Sequence, residues 1–287
     1  MTAGATTTAR PAPRRTTERP NWLAGVVATG WLVIIAVPIL TMIGWSVTSE
    51  EDFLSFGPLA PPRDITFENF ASVFELGFLR YFWNTLVVTV GSIVIALVIA
   101  VPAAYAIVRS NSWLASASFR AFLLGLAIPA QAVIIPLYLV ITELGLFDTL
   151  IAVILPTVAF SLPLVILILS GALRDVPRDM YEAMTVDGAG SFRMLVNLVI
   201  PMSRGSISAV GIFVGLTAWN SFIFPLIFLR SEENRVVTLG LQQFRQEFGI
   251  NMPGLMAAVL LSAVPVFLLY LFARRWLISG LAGVGGK

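Results

Sequence analysis

The sequence predicts an all-α integral membrane protein with six transmembrane helices. Of its 287 residues, 57% are hydrophobic and only 12% are charged, and six long windows contain no charged residue. A soluble globular domain carries about 25% charged residues, so half the usual complement is missing. The composition therefore indicates that lipid surrounds most of the chain.

Each charge-free window is long enough to cross a bilayer core about 30 Å thick, which takes roughly 20 apolar residues. Because lipid offers the backbone no hydrogen-bond partner, each window is expected to be helical. The windows run from 20 to 49, 81 to 108, 121 to 142, 149 to 173, 205 to 229 and 248 to 273, with the last span itself at 254–273.

The basic residues predict the orientation. Six spans place both termini on one side, and 13 of the 18 basic residues lie on that side. Basic loops remain in the cytoplasm, so the N- and C-termini are expected to be cytoplasmic. The five basic residues on the opposite side are Arg63, Arg80, Arg230, Arg235 and Arg245.

Composition divides the chain into four regions. Residues 1–20 are rich in Thr, Ala, Pro and Arg and are expected to form a disordered cytoplasmic tail. Residues 21–80 hold the first span and an extracellular loop with a short helix at 66–76. Residues 81–276 hold the other five spans, and 277–287 form a cytoplasmic tail. The arginines of the first tail suit anionic lipid headgroups better than nucleic acid.

Several classes of chemistry are excluded by what the sequence lacks. It contains no cysteine and no histidine, so disulfides, thiolate or imidazole metal sites and Ser-His catalysis are absent. It has no Gly-x-x-x-x-Gly-Lys-Ser/Thr loop for a nucleotide phosphate. No span carries the charged residue that ion-coupled carriers usually need. The chain is therefore not expected to be an enzyme, and transport would need an external energy source.

Three neutral polar side chains are the largest ones within the predicted spans. They are Asn84, Gln131 and Asn220. Each side chain has two possible roles, interhelical hydrogen bonding or lining a wet pathway, and the sequence leaves both open.

The longest predicted cytoplasmic loop, residues 174–204, has the pattern of two short helices. Asp175 is a suitable N-cap with Pro177 in the first turn, and Gly188 is expected to end the first helix with positive φ. Ser191 is a suitable cap for a second helix that stops at Pro201. In the first helix, one apolar face needs cover from headgroups or from a partner's groove; it comprises Met180, Tyr181 and Met184.

The spacing within this loop is specific. Glu182-Ala183 is followed by Asp187-Gly188, and Pro201 comes thirteen residues after Gly188. This resembles the EAA loop of binding-protein-dependent ABC importer permeases, which reads Glu-Ala-Ala, three residues, Gly, nine residues, Ile, one residue, Leu-Pro. Here Met184, Leu198 and Ile200 replace the second Ala, the Ile and the Leu.

The resemblance implies the type I ABC importer permease (MetI-like) architecture and a loop that couples to an ATPase. The implied coupling residues are Tyr181, Glu182, Ala183, Met184, Asp187, Gly188 and Pro201. Segments 65–70, 82–109, 238–244 and 275–281 also resemble the family, and the last two resemble its carbohydrate branch. They are most similar to the second, six-span permease of maltose-type systems.

The same resemblance implies the partners. They are a second permease subunit forming a heterodimer, two ATPase subunits that bind ATP and Mg²⁺, and an extracellular solute-binding protein that delivers a di- or oligosaccharide. No cofactor, metal or nucleic acid is expected on this chain, and its place is the bacterial cytoplasmic membrane, in contact with lipid.

The predicted outer loop at 230–252 mixes charged residues with large apolar ones. Its apolar side chains are expected to pack mostly on span ends and on the first outer loop. The family resemblance implies a second role, contact with the solute-binding protein, for Gln242, Gln243, Phe244, Phe248 and Asn251.

Three alternatives remain open from the sequence. One is an ABC permease for another solute, such as a polyol, glycerol phosphate, peptide or polyamine. The second is an autonomous carrier or channel. The third is a structural or assembly membrane protein that transports nothing.

Overall fold

The structure, a computed structural model, describes residues 22–58, 60–246 and 249–282. The predicted tail at 1–20, Phe248 and the last five residues lie outside these ranges. The described part confirms the all-α class, and it adds one antiparallel ladder of two residues per strand. The elements are α1 (Trp22–Ser46), α2 (Glu50–Phe56), α3 (Glu68–Glu75), α4 (Phe78–Arg109), α5 (Trp113–Gly125), α6 (Ile134–Glu143), α7 (Ile151–Arg174), α8 (Arg178–Val186), α9 (Ser191–Met194), α10 (Ile200–Met202), α11 (Arg204–Trp219), α12 (Ile223–Phe228), α13 (Val237–Gly240), β1 (Arg245–Gln246), β2 (Gly249–Ile250) and α14 (Met252–Ala282).

The chain divides into two compact units, residues 1–42 and residues 43–287. The described part of the first unit is the greater part of α1. Its side chains are apolar around the whole helix and mostly exposed. A helix without a polar face suits lipid or a protein interior.

The core of the second unit forms where α4 packs on α7 and α11. One face of α4 is buried along its length and consists mainly of small residues at intervals of three or four. Small side chains let membrane helices approach closely. Gly91 illustrates this, because a Cβ atom there would lie 3.0 Å from the Cδ1 atom of Ile154 on α7.

Four helices in the described residues are long and apolar enough to cross a membrane, and there are up to six if two bent helix pairs each count as one span. The windows at 81–108 and 149–173 match α4 and α7. The window at 121–142 is not one straight helix, because α5 and the segment from Ala130 to Glu143 meet at 94°. Pro129, which has extended ψ of 130°, cannot continue the first helix.

The fifth and sixth windows also differ from the structure in their ends. Helix α11 ends at Trp219, and α12 follows after three residues. The segment Ser191–Met202 before α11 meets it at 81°. Helix α14 continues to Ala282, so its backbone includes the first residues of the predicted C-terminal tail.

A second hydrophobic cluster joins α3, the start of α4, the loop at 230–251 and the start of α14. The predicted helix at 66–76 is found as α3. Its apolar side chains are only partly covered, because Val73 is buried whereas Phe74 is exposed, as is Phe67 just before the helix. The buried polar position on α3 is Asn69, whose Nδ2 donates to the carbonyl oxygens of Ser46 and Thr48 at 3.0 and 2.8 Å.

Candidate functional sites at the two ends of α4

The loop at 174–204 contains the predicted pair of helices, but they begin at other residues. Helix α8 begins after Pro177, whose ψ of 138° is extended. The prediction that Asp175 caps this helix is wrong, because Asp175 ends α7 instead. The second helix begins after Gly190, and the side chain of Ser191 makes no capping hydrogen bond.

Helix α8 ends as the sequence predicts. Gly188 has φ of +73°, a conformation that a Cβ atom penalises. The N–H of Ala189 donates to the Met184 carbonyl at 2.9 Å, and the N–H of Gly188 donates to the Thr185 carbonyl at 3.0 Å. This pair of bonds is the Schellman arrangement, which satisfies the last carbonyls of a helix.

The second limb of the loop is not a regular α-helix that stops at Pro201. Residues Leu195–Val199 form a π-helical segment, in which the N–H of Ile200 donates to the carbonyl of Leu195. Pro201 lies within α10 and is exposed. This π-helical turn directly precedes Pro201, which has no N–H and so cannot donate a helical hydrogen bond.

Helix α8 is anchored by one face and exposed on the other. Tyr181 is 2% exposed, and Met184 is half-buried. Met180, predicted to share this covered face, is 42% exposed. The exposed surface of α8 and its ending comprises Glu182, Ala183, Val186, Asp187 and Gly188, and the apolar side chain of Phe192 on α9 is also exposed.

Tyr181 packs against the last turns of α4. Its ring stacks on that of Tyr105, with centroids 6.4 Å apart and 20° between planes, and the Cζ atom of Arg109 lies 4.3 Å from its centroid. A cation–π contact at an exposed site contributes about 0.5–1 kcal/mol. Burial raises the pKa of the Tyr181 hydroxyl, Tyr105 acts in the same direction and Arg109 in the opposite one.

At the other end of α4, the loop at 230–251 is held by side-chain hydrogen bonds. The Asn84 Nδ2 donates to the carbonyl oxygens of Glu233 and Arg235 at 2.7 and 2.8 Å. The Thr85 hydroxyl oxygen accepts from the N–H of Val237 at 2.9 Å. Asn84 is 8% exposed, and its hydrogen bonds join α4 to this loop and not to another span.

Asp148 holds the beginning of this loop, a role that the sequence does not predict. Its Oδ1 accepts from the N–H groups of Arg230 and Ser231 at 2.8 and 3.0 Å, and its carbonyl oxygen accepts from Nδ2 of Asn234 at 2.6 Å. Burial favours the neutral carboxyl, but the hydrogen bonds from Arg230 and Ser231 outweigh this and lower its pKa. Nothing local in the sequence distinguishes Asp148 from other loop aspartates.

Most of the residues predicted to contact a binding protein support the loop from within. Phe244 is buried at 6% exposure. The Gln243 amide oxygen accepts from Tyr81 Oη at 2.7 Å and Arg235 Nη1 at 3.1 Å when the amide is oriented by its neighbours. The Asn251 Nδ2 donates to Oε2 of Glu50 at 2.9 Å.

Gln242 is the exposed member of this predicted set, apart from Phe248, which lies outside the described residues. It lines a cavity of about 400 Å³ with Arg230, Arg235 and Gln243. Arg235 Nη1 also contacts Oε1 of Glu232 at 3.2 Å. Charged and amide side chains in the cavity therefore lie beside apolar ones, namely Leu226, Leu229 and Leu239.

The two other candidate pathway residues lie apart from each other. Gln131 is exposed in the 3₁₀ turn between α5 and α6. Asn220 ends α11 and donates from Nδ2 to the carbonyl of Leu216 at 2.8 Å. A mostly apolar cavity of about 460 Å³ lies between α4, α11 and α14, and its lining includes none of the three candidates.

In the ranges 22–58, 60–246 and 249–282, no group of three carboxylates could hold a metal ion. The structure thus has two notable features. At one end of α4, the loop helix α8 packs on α4 through Tyr181, and at the other end the 230–251 loop is held by side-chain hydrogen bonds. These features describe a membrane protein with several spans and a structured loop at each end of α4.

Comparison with known proteins identifies the family. Residues 92–282 match the family described as binding-protein-dependent transport system inner membrane component. The chain belongs to this family. The matched region includes the whole loop at 174–204.

Two relatives and one solved structure illustrate the similarity. The diacetylchitobiose uptake system permease protein NgcG of Streptomyces coelicolor is 32% identical, over 85% of this chain and 82% of its own length. The arabinooligosaccharides transport system permease protein AraQ of Halalkalibacterium halodurans is 27% identical, over 95% and 98%. A chain of a bacterial ABC transporter for alginate import has the same fold, with a TM-score of 0.78 and 21% identity over 91% of this chain and 98% of that one.

Proposed function

We propose that this chain is the permease subunit of an ABC importer for a di- or oligosaccharide delivered by an extracellular solute-binding protein. The observation that carries the proposal is α8, a short helix fixed to the spans through Tyr181 while Glu182, Val186 and the Gly188 turn remain exposed. Such a surface suits a groove in a partner protein. Family membership supports the assignment of that partner as an ATPase.

The sugar substrate is supported by the relatives, whose names specify diacetylchitobiose and arabinooligosaccharides. In this proposal, ATP and Mg²⁺ bind to the two ATPase subunits. A second permease subunit completes the pathway. ATP-driven closure of the ATPase subunits moves α8, and the spans then alternate between inward- and outward-open arrangements by rigid-body motion.

The loop at 230–251 faces the binding protein in this proposal. Its hydrogen bonds to α4 and to Asp148 hold its backbone, so that exposed Gln242 and the cavity beside it form a surface of fixed shape. Exposed charge pairs contribute only about 0–1 kcal/mol each, so shape decides the contact. Removal of residues 246–251 should abolish stimulation of ATP hydrolysis by the liganded binding protein while basal hydrolysis survives.

The test of the function is reconstitution of the complete complex in proteoliposomes, with uptake measured across a panel of labelled oligosaccharides. Uptake should require ATP, the ATPase subunits and the binding protein, and Glu182→Lys should uncouple hydrolysis from uptake. Uptake by this chain alone would instead identify an autonomous carrier. ATP-dependent uptake of a peptide or polyamine, with none of any sugar, would refute the sugar substrate.

Orientation is tested separately. A reporter fused after Lys287 should be cytoplasmic, and reporters at Pro61 or beside Glu233 should be extracellular, because 13 of the 18 basic residues lie on the side of the termini. A C-terminal reporter outside the cell would refute the topology and with it the placement of α8.

A further inference from the structure

The last turns of α4 contact both limbs of the loop at 174–204. On the first limb, the Tyr105 ring stacks on the buried ring of Tyr181, and Arg109 lies over that ring. On the second limb, the Tyr105 hydroxyl lies 3.7 Å from Sδ of Met194, which is 7% exposed. Tyr105 and Arg109 are four residues apart, so they share one face of α4.

These contacts matter because α4 has no direct covalent link to the loop. The chain connects α8 to α7 through residues 175–177, and it connects the second limb to α11 at Ser203. A displacement of α8 reaches α7 and α11 through the backbone. The same displacement reaches α4 indirectly through its packing on α7 and α11, and directly through side-chain contacts with the loop. Tyr105 makes such contacts with both limbs.

The contact between Tyr181 and α4 depends on its ring. Within the described part of the chain, the Tyr181 hydroxyl is buried and has no hydrogen-bond partner. The ring is held by Tyr105 and by the Arg109 guanidinium, which has the planar shape that suits stacking on an aromatic face. Glu182 follows Tyr181 by about 100° around the helix and is exposed, so the anchored ring lies beside the proposed docking surface.

We propose that Tyr105, Arg109 and Tyr181 form a clamp that transmits motion of α8 to α4, and that Arg109 is a positioning residue for the coupling of ATP hydrolysis to transport. This inference rests on the proposed function, since it requires an ATPase subunit docked on α8. In this proposal the ring of Tyr181 and the guanidinium of Arg109 transmit the motion, and the Tyr181 hydroxyl has no part in it.

The test uses the complete reconstituted complex and measures the number of ATP molecules hydrolysed per sugar molecule imported. Arg109→Ala should raise this ratio about two- to fivefold, the factor that corresponds to a cation–π contact at an exposed site, while basal hydrolysis and ATPase capture stay unchanged. Arg109→Lys should restore part of the coupling. Tyr181→Phe, which keeps the ring, should give the same ratio of ATP hydrolysed to sugar imported as the parent protein.

Arg120 provides the matched control, because it is an exposed arginine on the next helix. Arg120→Ala should leave the ratio unchanged. A spin-label pair at Ala106→Cys and Arg178→Cys, introduced into a chain that contains no other cysteine, reports the α4–α8 distance directly. In the parent and in Arg120→Ala, this distance should be the same with and without trapped ATP, whereas Arg109→Ala should change or broaden it.

Equal ratios for Arg109→Ala, Arg120→Ala and the parent would overturn the clamp, and so would loss of coupling in Tyr181→Phe. Because Arg109 is exposed, Arg109→Ala is expected to assemble, and its ratio decides the question. A parent complex that shows no ATP-dependent sugar uptake would instead refute the proposed function. The spin-label distances would then be measured in detergent on this chain bound to the ATPase subunits, without the binding protein. Motion of α8 independent of α4 in the parent would overturn the clamp.

Discussion

Replacement of Gly240 by alanine should displace the predicted outer loop from α4. A Cβ atom at Gly240 would lie 2.5 Å from Cδ2 and 3.0 Å from Cε2 of Tyr81. Carbon atoms in contact are normally about 3.5–4.0 Å apart, so the ring and the loop must separate by roughly 1 Å. Tyr81 is 6% exposed and therefore has little space into which it can move.

The expected cost follows from this geometry. Overpacking of a buried site costs about 1–3 kcal/mol. If the Tyr81 ring moves far enough to break the hydrogen bond between its hydroxyl and the Gln243 amide, about 1 kcal/mol more is lost. The backbone at Gly240 has no positive φ, so the cost is steric and not conformational.

The assay combines thermal unfolding in detergent with ATP hydrolysis stimulated by the binding protein. Gly240→Ala should lower both the Tm and the stimulation, whereas basal hydrolysis should persist because the loop at 174–204 is distant. Gly171→Ala is the matched control, because a Cβ atom there meets nothing within 4 Å. The double variant with Tyr81→Leu should be less destabilised than the two single effects add up to.

Two results would refute this reasoning. One is a Gly240→Ala variant with the same Tm and stimulation as Gly171→Ala, which would mean that the loop does not lie against Tyr81. The other is strict additivity of Gly240→Ala and Tyr81→Leu, which would locate the damage elsewhere.

Three further predictions concern the two ends of α4. A Cβ atom at Gly188 would meet no atom within 4 Å, but the backbone there has φ of +73°. Gly188→Ala should therefore cost about 1 kcal/mol of stability and weaken capture of the ATPase, whereas Gly190→Ala should not. Equal capture by the two variants would contradict this prediction. The stability that the Asp148 carboxylate contributes is present above its ordinary pKa of 3.8 and is lost as pH falls through its lowered pKa. The Tm difference between the parent and Asp148→Ala should therefore persist at neutral pH and shrink in acid. A Tm difference that does not depend on pH would show that the carboxylate is not the source of this stability. Asn84→Asp places a carboxylate against two carbonyl oxygens and should remove stimulation of ATP hydrolysis by the binding protein. Asn220→Asp, at an exposed position, should keep that stimulation. Full stimulation in Asn84→Asp would show that the Asn84 hydrogen bonds do not support the loop.

The sequence predicts the long spans well for a simple physical reason. About 20 apolar residues without charge must form a helix in lipid, so α4 and α7 begin and end within three residues of their predicted windows. The bend at 126–129 contains Pro129, which locally ends the first helix, but the close approach of this bend to α7 is a tertiary contact. At this bend, Gly125 lies so close to α7 that its Cβ atom would be 3.1 Å from Cγ of Pro163, a contact that no local pattern reveals.

The candidate sites divide in the same way. Gly188 is predictable because the positive φ at a helix end is a local requirement that glycine meets most easily. Asn84 could be predicted to need partners, but not to find them about 150 residues later in the chain. The stack of Tyr105 with Tyr181 and the support of the loop by Asp148 join segments about 75 residues apart or more, so periodicity and spacing could not reveal them.

The two ends of α4 are fastened by different kinds of contact. At Asn84 and Thr85 the loop is held by three hydrogen bonds of 2.7–2.9 Å, which weaken steeply when the geometry changes. At Tyr105 the contact is ring stacking, which tolerates centroid separations from about 4.5 to 7 Å. Asn84 and Arg109 are about 38 Å apart along one continuous helix. Helix α4 therefore joins the two sites: directed hydrogen bonds hold the 230–251 loop at one end, and ring contacts hold α8 at the other, so that α8 and α4 move together while the surface of the 230–251 loop keeps its shape.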